Sequence, residues 1–254
     1  MKTFDIAGRV ALVTGASSGL GESFARALSQ SGAVVVAAAR REDRLAKLVA
    51  ELTAAGGKAH AVTLDVSDPK SVEAAFAKIV ETAGAPQIVV NNAGIGSAKP
   101  AIDLTEEEWR SMMSTNLDGA WRVAQAAAKA LVAAKKPGSI VNIASILGLR
   151  VANNLASYAT AKAGLVQLTK ALALEWARYG IRVNAIAPGY VETEMNQGMF
   201  DTEAGQALVK RVPMRRIGTA DELHGALFLL ASDAGSYMTG SVITVDGGHS
   251  TNSL

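Results

Sequence analysis

The stretch Val10-Ala11-Leu12-Val13-Thr14-Gly15-Ala16-Ser17-Ser18-Gly19-Leu20-Gly21 decides the fold class. A short apolar run stops at a glycine-rich turn, and an amphipathic segment begins inside that turn. A buried strand, a tight turn and a helix start give this order. Working outward, the same alternation recurs along the chain. Further apolar runs lie at Ala33–Ala39, Ala59–Leu64, Ile88–Val90, Ser139–Ile143, Ile181–Ala187 and Ser241–Val245. Most are continuously apolar, as strands covered on both faces are. Helix-length segments separate them at Leu20–Gln30, Glu42–Ala55, Pro69–Thr82, Gly119–Ala134, Ser157–Tyr179 and Ala220–Leu230. Strands alternating with helices predict right-handed βαβ units and a parallel sheet. The fold class is therefore α/β, a Rossmann-type doubly wound three-layer sandwich.

Composition sets the outer limits. The 254 residues are 49% hydrophobic and 19% charged, which excludes a disordered chain. They fit one domain over residues 1–254. Lys+Arg 25 against Asp+Glu 23 leaves +2, too even for a nucleic-acid surface. No cysteine is present, so disulfide scaffolds, thiolate metal sites and a Cys nucleophile are excluded. His60, His224 and His249 are scattered without ligand spacing, and no metal is expected. Met1–Asp5 carries no leader-type apolar run and no segment has membrane-span length, so the expected location is the cytoplasm. A mean hydropathy of +0.20 predicts apolar surface buried between subunits.

Four groups of residues can carry chemistry. In the opening turn, Gly15, Gly19 and Gly21 let backbone approach a pyrophosphate, and the helix start offers N–H groups and partial positive charge. At the end of the second strand an NAD-binding domain usually places an acid for the ribose. Here stand Ala39 and Arg40, and an Arg suits a 2′-phosphate, which favours NADP. Glu42 and Asp43 follow closely, so NAD stays open. The third group is Tyr158-Ala159-Thr160-Ala161-Lys162, where i,i+4 spacing brings an ammonium beside a phenol. A nearby cation is expected to lower the phenol pKa, and Ser145 adds a hydroxyl at a strand end facing the ligand crevice. The fourth comprises Asn91-Asn92-Ala93-Gly94 and Asn116-Leu117-Asp118-Gly119, which alone read as turn chemistry.

Together with Asp65, Pro188-Gly189 and Thr193, these motifs resemble the short-chain dehydrogenase/reductase family, in its single-domain branch of about 250 residues. The resemblance spans nearly the whole chain. It implies a seven-stranded parallel sheet of order 3-2-1-4-5-6-7 and the catalytic set Asn116, Ser145, Tyr158 and Lys162. Tyr158 would be the general acid and base, and Ser145 would bind the substrate oxygen. Lys162 would bind ribose and depress the Tyr158 pKa, and Asn116 would hold a water linking Lys162 to solvent. Cofactor contacts are implied for Gly15, Ser17, Ser18, Gly19, Leu20, Gly21, Arg40, Asp65, Val66, Asn92, Ala93, Gly94, Tyr158, Lys162, Pro188, Gly189, Val191 and Thr193. The Tyr-x-x-x-Lys spacing resembles carbonyl reductases and alcohol dehydrogenases. Enoyl reductases usually place six residues between the two.

The expected activity is hydride transfer between NADP, or NAD, and a small-molecule ketone or secondary alcohol. A 3-oxoacyl-carrier-protein reductase fits the same motifs and would need a basic patch at the site mouth, for which Lys135, Lys136, Arg178 and Arg182 are candidates. A nucleotide-sensing protein without catalysis would be free to lose Ser145, Tyr158 or Lys162. A methyltransferase would share only the glycine-rich turn. Residues 192–218 lack a clean pattern and read as a substrate lid, with Met195, Met199 and Phe200 over an apolar substrate and Gly198 and Gly205 as hinges. Leu147, Val151, Asn153, Leu155 and Tyr190 are further pocket candidates. A homotetramer is expected, with Ala124, Ala127, Ala128 and Ala173 letting helices of two subunits approach and Trp121 and Trp176 anchoring the contact.

Overall fold

The computed structural model describes residues 3–193 and 198–251. Its strands are β1 (Val10–Thr14), β2 (Val34–Ala39), β3 (Lys58–Thr63), β4 (Ile88–Asn91), β5 (Gly138–Ile143), β6 (Ile181–Pro188) and β7 (Val242–Val245). They form one sheet in the order β3-β2-β1-β4-β5-β6-β7, with every pair parallel. The order expected from the family resemblance is the order found.

Period-two side-chain alternation divides the core between the two faces. Ala11 and Val13 point to one face and meet Phe24, Leu28 and Leu45 of helices α1 (Gly19–Gln30) and α2 (Glu42–Ala54). Val10 and Leu12 point to the other and meet Val72, Phe76, Ile79 and Val123 of α3 (Pro69–Thr82) and α5 (Gly119–Ala133). Helix α3 begins where Asp68-Pro69 predicts, and the Asp68 carboxylate accepts from the Lys70 N–H at 2.9 Å. Strand β1 lies between β2 and β4, so the chain changes direction of travel across the sheet there. A crevice opens at such a switch point, at the carboxyl ends of the strands.

Several elements differ from the sequence reading. Helix α4 (Glu106–Met113) had no assignment, although Thr105 and Glu108 form a complete capping box at its start. Residues Ser114–Asp118 then widen into a π-helical turn that continues into α5. Helix α6 (Ala156–Trp176) ends in a short 3-10 turn closed by Gly180 in the left-handed region. The segment 192–218 contains α7 (Glu203–Val209), and Ala220–Leu223 is a 3-10 turn before α8 (His224–Ala231). The alanine expectation is corrected: Ala124, Ala127, Ala128 and Ala173 are buried against the chain's own sheet. Their small size lets the helices sit close to the strands.

Candidate active site

A cavity of about 670 Å³ occupies the switch-point crevice. Its floor is the glycine-rich turn. Gly15 has φ +67°, and a Cβ there would lie 2.9 Å from both the Ala93 Cα and the Asn92 amide nitrogen. Gly19, with φ +56°, opens α1 below the cavity. Gly21 does not line the cavity. A Cβ there would collide with the Gly15 carbonyl and the Asn92 amide, so its role is close packing of helix on turn. The turn is tied to the end of β4 through Thr14, the first residue of the glycine-rich motif, to which the sequence assigned no contact. Its hydroxyl accepts from the Asn92 and Ala93 N–H groups, both at 3.0 Å, and the Asn92 side chain donates to the Thr14 carbonyl at 3.0 Å. Gly15, Ser17, Ser18, Gly19, Leu20, Asn92, Ala93 and Gly94 all line the space.

At one end the cavity is basic. Arg40 lines it as expected, but the guanidinium bound into the turn belongs to Arg41. Arg41 donates to the Ser17 hydroxyl at 2.9 Å and to the Ser18 hydroxyl at 2.8 Å. Sequence order alone could not choose between adjacent arginines. Asp65 and Val66 line the same end. Burial pushes the Asp65 carboxyl up, but hydrogen bonds from the Ser67 hydroxyl and N–H, with the Arg40 charge, outweigh it and hold the group below its ordinary range. It is an anion that can accept from a base or sugar.

Ser145, Tyr158 and Lys162 converge at the middle of the cavity. Strand β5 stops at Ile143, and Ser145 caps the following turn, its oxygen accepting from the Leu147 N–H at 3.1 Å. The Ser145 hydroxyl and the Tyr158 phenol line the same part of the cavity. Lys162 is 5% exposed; its Nζ donates to the Ile143 carbonyl at 2.8 Å and lies 5.7 Å from the Tyr158 ring centre. Burial lowers the ammonium to about 8. The Tyr158 phenol moves opposite to the expectation. Burial raises it and the Tyr190 phenol adds to the rise, while the nearby Ser145 hydroxyl acts the other way. Desolvation of the phenolate outweighs what the chain itself offers to stabilise it.

Asn116 does not line the cavity. It is buried in the π-helical turn, where its carbonyl accepts from the Ile95 N–H and its amide donates to the Ile95 carbonyl, both at 2.8 Å. It thereby anchors the loop whose Gly94–Ala98 backbone forms one wall. Pro188, Gly189, Val191 and Thr193 form the facing wall with Tyr190, and Leu147 and Leu155 close the outer end. The loops on the first wall are tied by the Lys99 N–H to the Asn154 carbonyl at 2.7 Å. Met195 and the Met199 side chain lie outside the described residues. Among the described residues no group of acids and histidines could hold a metal. Lys135, Lys136 and Arg178 stand at the opposite sheet edge from the cavity, before β5 and β6 begin, and Arg182 donates to the Leu230, Ser232 and Met238 carbonyls.

A family model described as enoyl-(acyl carrier protein) reductase matches residues 15–250 of this chain. The 3-oxoacyl-(acyl-carrier-protein) reductase FabG of Escherichia coli is 39% identical over 241 residues, covering 95% of this chain and 97% of its own. The chain belongs to the short-chain dehydrogenase/reductase family. As an oxidoreductase of that family it has relatives with varied substrates in their names. The 3beta-hydroxysteroid dehydrogenase 1 of Eggerthella lenta is 41% identical over 246 residues, 96% of this chain and 94% of its own. Two solved structures extend the range. A gluconate dehydrogenase assignment from Agrobacterium tumefaciens superposes with TM-score 0.95 at 40% identity, covering 99% of each chain. A gluconate 5-dehydrogenase from Burkholderia cenocepacia, in complex with NADP and tartrate, gives 0.94 at 39%, covering 98% of each. In this short-chain dehydrogenase/reductase, Tyr158 and Lys162 keep the four-residue spacing that distinguishes carbonyl chemistry from the enoyl description.

Proposed function

We propose that this oxidoreductase moves a hydride between NADP and a ketone or secondary alcohol, with Tyr158 as general acid and base. The observation that carries the reading is the convergence of the Ser145 and Tyr158 hydroxyls and the buried Lys162 ammonium on one cavity, large enough for a dinucleotide and a small substrate. The glycine-rich turn fits a pyrophosphate, since Gly15 and Gly19, both at positive φ, line the cavity where α1 begins. Arg41, held by Ser17 and Ser18 with Arg40 beside it, supports a 2′-phosphate and hence NADP. NADP in the Burkholderia cenocepacia relative agrees with that choice. NAD would leave both cations without their anion.

Bound NADP supplies the hydride donor or acceptor and, when oxidised, a positive ring that favours a phenolate nearby. The chain's own residues do the rest. In reduction the Ser145 and Tyr158 hydroxyls hold the carbonyl oxygen, and Tyr158 gives it a proton. In oxidation the Tyr158 phenolate takes the proton back. Lys162 holds positive charge near the ring and reaches ribose; Asn116, whose side chain is spent on Ile95 and Met112, braces the cavity wall in place of the expected water relay. Asp65 and Val66 contact adenine, Asn92 the adjoining ribose, and Thr193 the carboxamide.

The segment 192–218 serves as the substrate lid. Its ends are pinned by the Glu192 N–H to the Gly218 carbonyl and the Gly218 N–H to the Tyr190 carbonyl, both at 2.9 Å. Gly198, at φ +76°, suits a hinge, whereas Gly205 lies inside α7. The enzyme acts in the cytoplasm as a homotetramer. No helix among the described residues is long and apolar enough to cross a membrane. Exposed Trp121, Leu174 and Tyr179 on α5, α6 and the turn after it supply one interface, and the open edge of β7 with Tyr237 a second.

The second reading, a 3-oxoacyl-carrier-protein reductase, is favoured by the Escherichia coli relative. Against it, the basic groups Lys135, Lys136 and Arg178 do not stand beside this chain's own cavity mouth. A panel of ketones, secondary alcohols and a 3-oxoacyl-carrier-protein, run with both nucleotides and followed by reduced-nicotinamide absorbance, tests both readings. Turnover of free ketones with NADPH well above NADH is expected. Turnover of the carrier-bound substrate alone would select the second reading, and turnover of none would overturn both.

A further inference from the structure

Tyr190 carries a polar group that the mechanism above does not use. It follows Pro188-Gly189 at the end of β6 and lines the same cavity as Ser145 and Tyr158. Its ring is held from two sides. Phe200, buried in the lid, meets it edge-on with centroids 6.0 Å apart at 78°, and His249 lies 5.5 Å away at 35°. The ring therefore has one orientation. Its hydroxyl makes no hydrogen bond to any described residue, although the side chain is half-buried. A tyrosine O–H in such surroundings normally finds a partner. Burial raises the Tyr190 phenol, so it stays a donor across neutral pH, and its electrostatic influence reaches Tyr158.

We infer that Tyr190 donates a hydrogen bond to a second oxygen of the substrate, and selects ketones that carry an acceptor oxygen near the reacting carbonyl over plain alkyl ketones. The inference rests on the carbonyl-reductase reading. Ser145 and Tyr158 are committed to the reacting oxygen, so the third hydroxyl meets a different atom. Leu147 and Leu155 line the remainder and match an apolar body. A site built to bond one oxygen rejects the analogue that lacks it, because the site's own polar group is left unpaired.

The test uses ethyl acetoacetate and 2-heptanone, whose main chains have equal length but which differ by the second carbonyl and the ester oxygen. The readout is the ratio of their kcat/KM values with NADPH, in the wild type and in Tyr190→Phe. The variant keeps the ring and its contacts with Phe200 and His249. Loss of the hydroxyl is expected to lower the ratio about 5- to 150-fold, mainly through KM for the ketoester. A ratio changed less than twofold overturns the assignment of Tyr190 while leaving the enzymatic reading intact. If the wild type reduces neither ketone with either nucleotide, the enzymatic reading falls and this assignment with it. Should Tyr190→Phe fail to fold, Phe200→Leu, which removes the edge contact holding the ring, must lower the same ratio; an unchanged ratio there overturns the assignment equally.

Discussion

Tyr158 and Lys162 illustrate how burial and charge compete at a single site. Each is pushed toward its neutral form, the phenol upward and the ammonium down to about 8. The Ser145 hydroxyl opposes the first shift. Tyr158→Phe keeps the ring and removes the proton, so turnover is expected to fall ~10²–10⁴-fold while NADPH binding persists. Fluorescence titration beside steady-state rates checks this, and a near-normal kcat would remove Tyr158 from the chemistry. The pH dependence follows by sign. Alcohol oxidation needs the phenolate, so kcat/KM rises with pH, and a raised phenol places that rise on the alkaline side of neutrality. Lys162→Gln removes the neighbouring cation and should move the rise to still higher pH; an unmoved profile would count against electrostatic coupling of the pair. At the other end of the cavity, Arg41→Ala should weaken NADPH about 10- to 150-fold, the worth of a charge-assisted bond, and NADH by much less. Equal losses for both nucleotides would remove Arg41 from 2′-phosphate recognition.

Elements matter where regular structure is interrupted. The π-helical turn Ser114–Asp118 lies between α4 and α5, and such turns occur disproportionately at functional sites. Its Asn116 satisfies both backbone groups of Ile95, so the turn and the cavity wall form one unit. Asn116→Ala strands those two groups, each at a cost of about 1–3 kcal/mol where water cannot reach them. A lower melting temperature together with a raised KM for nucleotide is expected from differential scanning fluorimetry and kinetics. Wild-type stability in the variant would show that the wall stands without this tie. The lid segment is a second such element. Its Val212–Met214 end packs on the Asp246–Gly248 turn, with the Met214 N–H on the Gly247 carbonyl at 3.2 Å, so the lid and the chain's last turns are mechanically linked.

For the whole molecule, several large apolar side chains stand exposed on one chain, Trp121, Leu174, Tyr179 and Tyr237 among them. Leu174 is 85% exposed on α6, near Tyr179, and among the described residues strand β7 pairs with β6 alone. An unpaired edge strand and a large exposed aliphatic group are both normally covered. Closed two-fold symmetry covers them with identical patches. Light scattering should give four times the chain mass for the wild type, and Leu174→Glu should give smaller assemblies by placing paired charges in one interface. A monomer in the wild type, stable and active, would end the tetramer reading.

The βαβ alternation was legible in the sequence through local periodicity and the Tyr158–Lys162 pair through i,i+4 spacing on one helix, whereas the sheet order and the place of Ser145 in the set came from the family resemblance. Position in space was not legible. Both arginines follow β2, which ends at Ala39, and only Arg41 bonds the Ser17 and Ser18 hydroxyls, a choice that depends on contacts with a turn more than twenty residues away and not on the order of two identical neighbours. The alanines of α5 and α6 face inward because the helix phase is set by packing on the sheet, and small residues serve an inner face as well as an outer one. The Tyr158 phenol rises because burial depends on every element around it, whereas an i,i+4 spacing reports only one neighbour. Lys135, Lys136 and Arg178 lie close in sequence to the strands that carry the site, yet the length of β5 and β6 places them at the far edge of the sheet. In each case the chain specified its local structure through contacts near in sequence, and the tertiary fold decided what depends on contacts that are not.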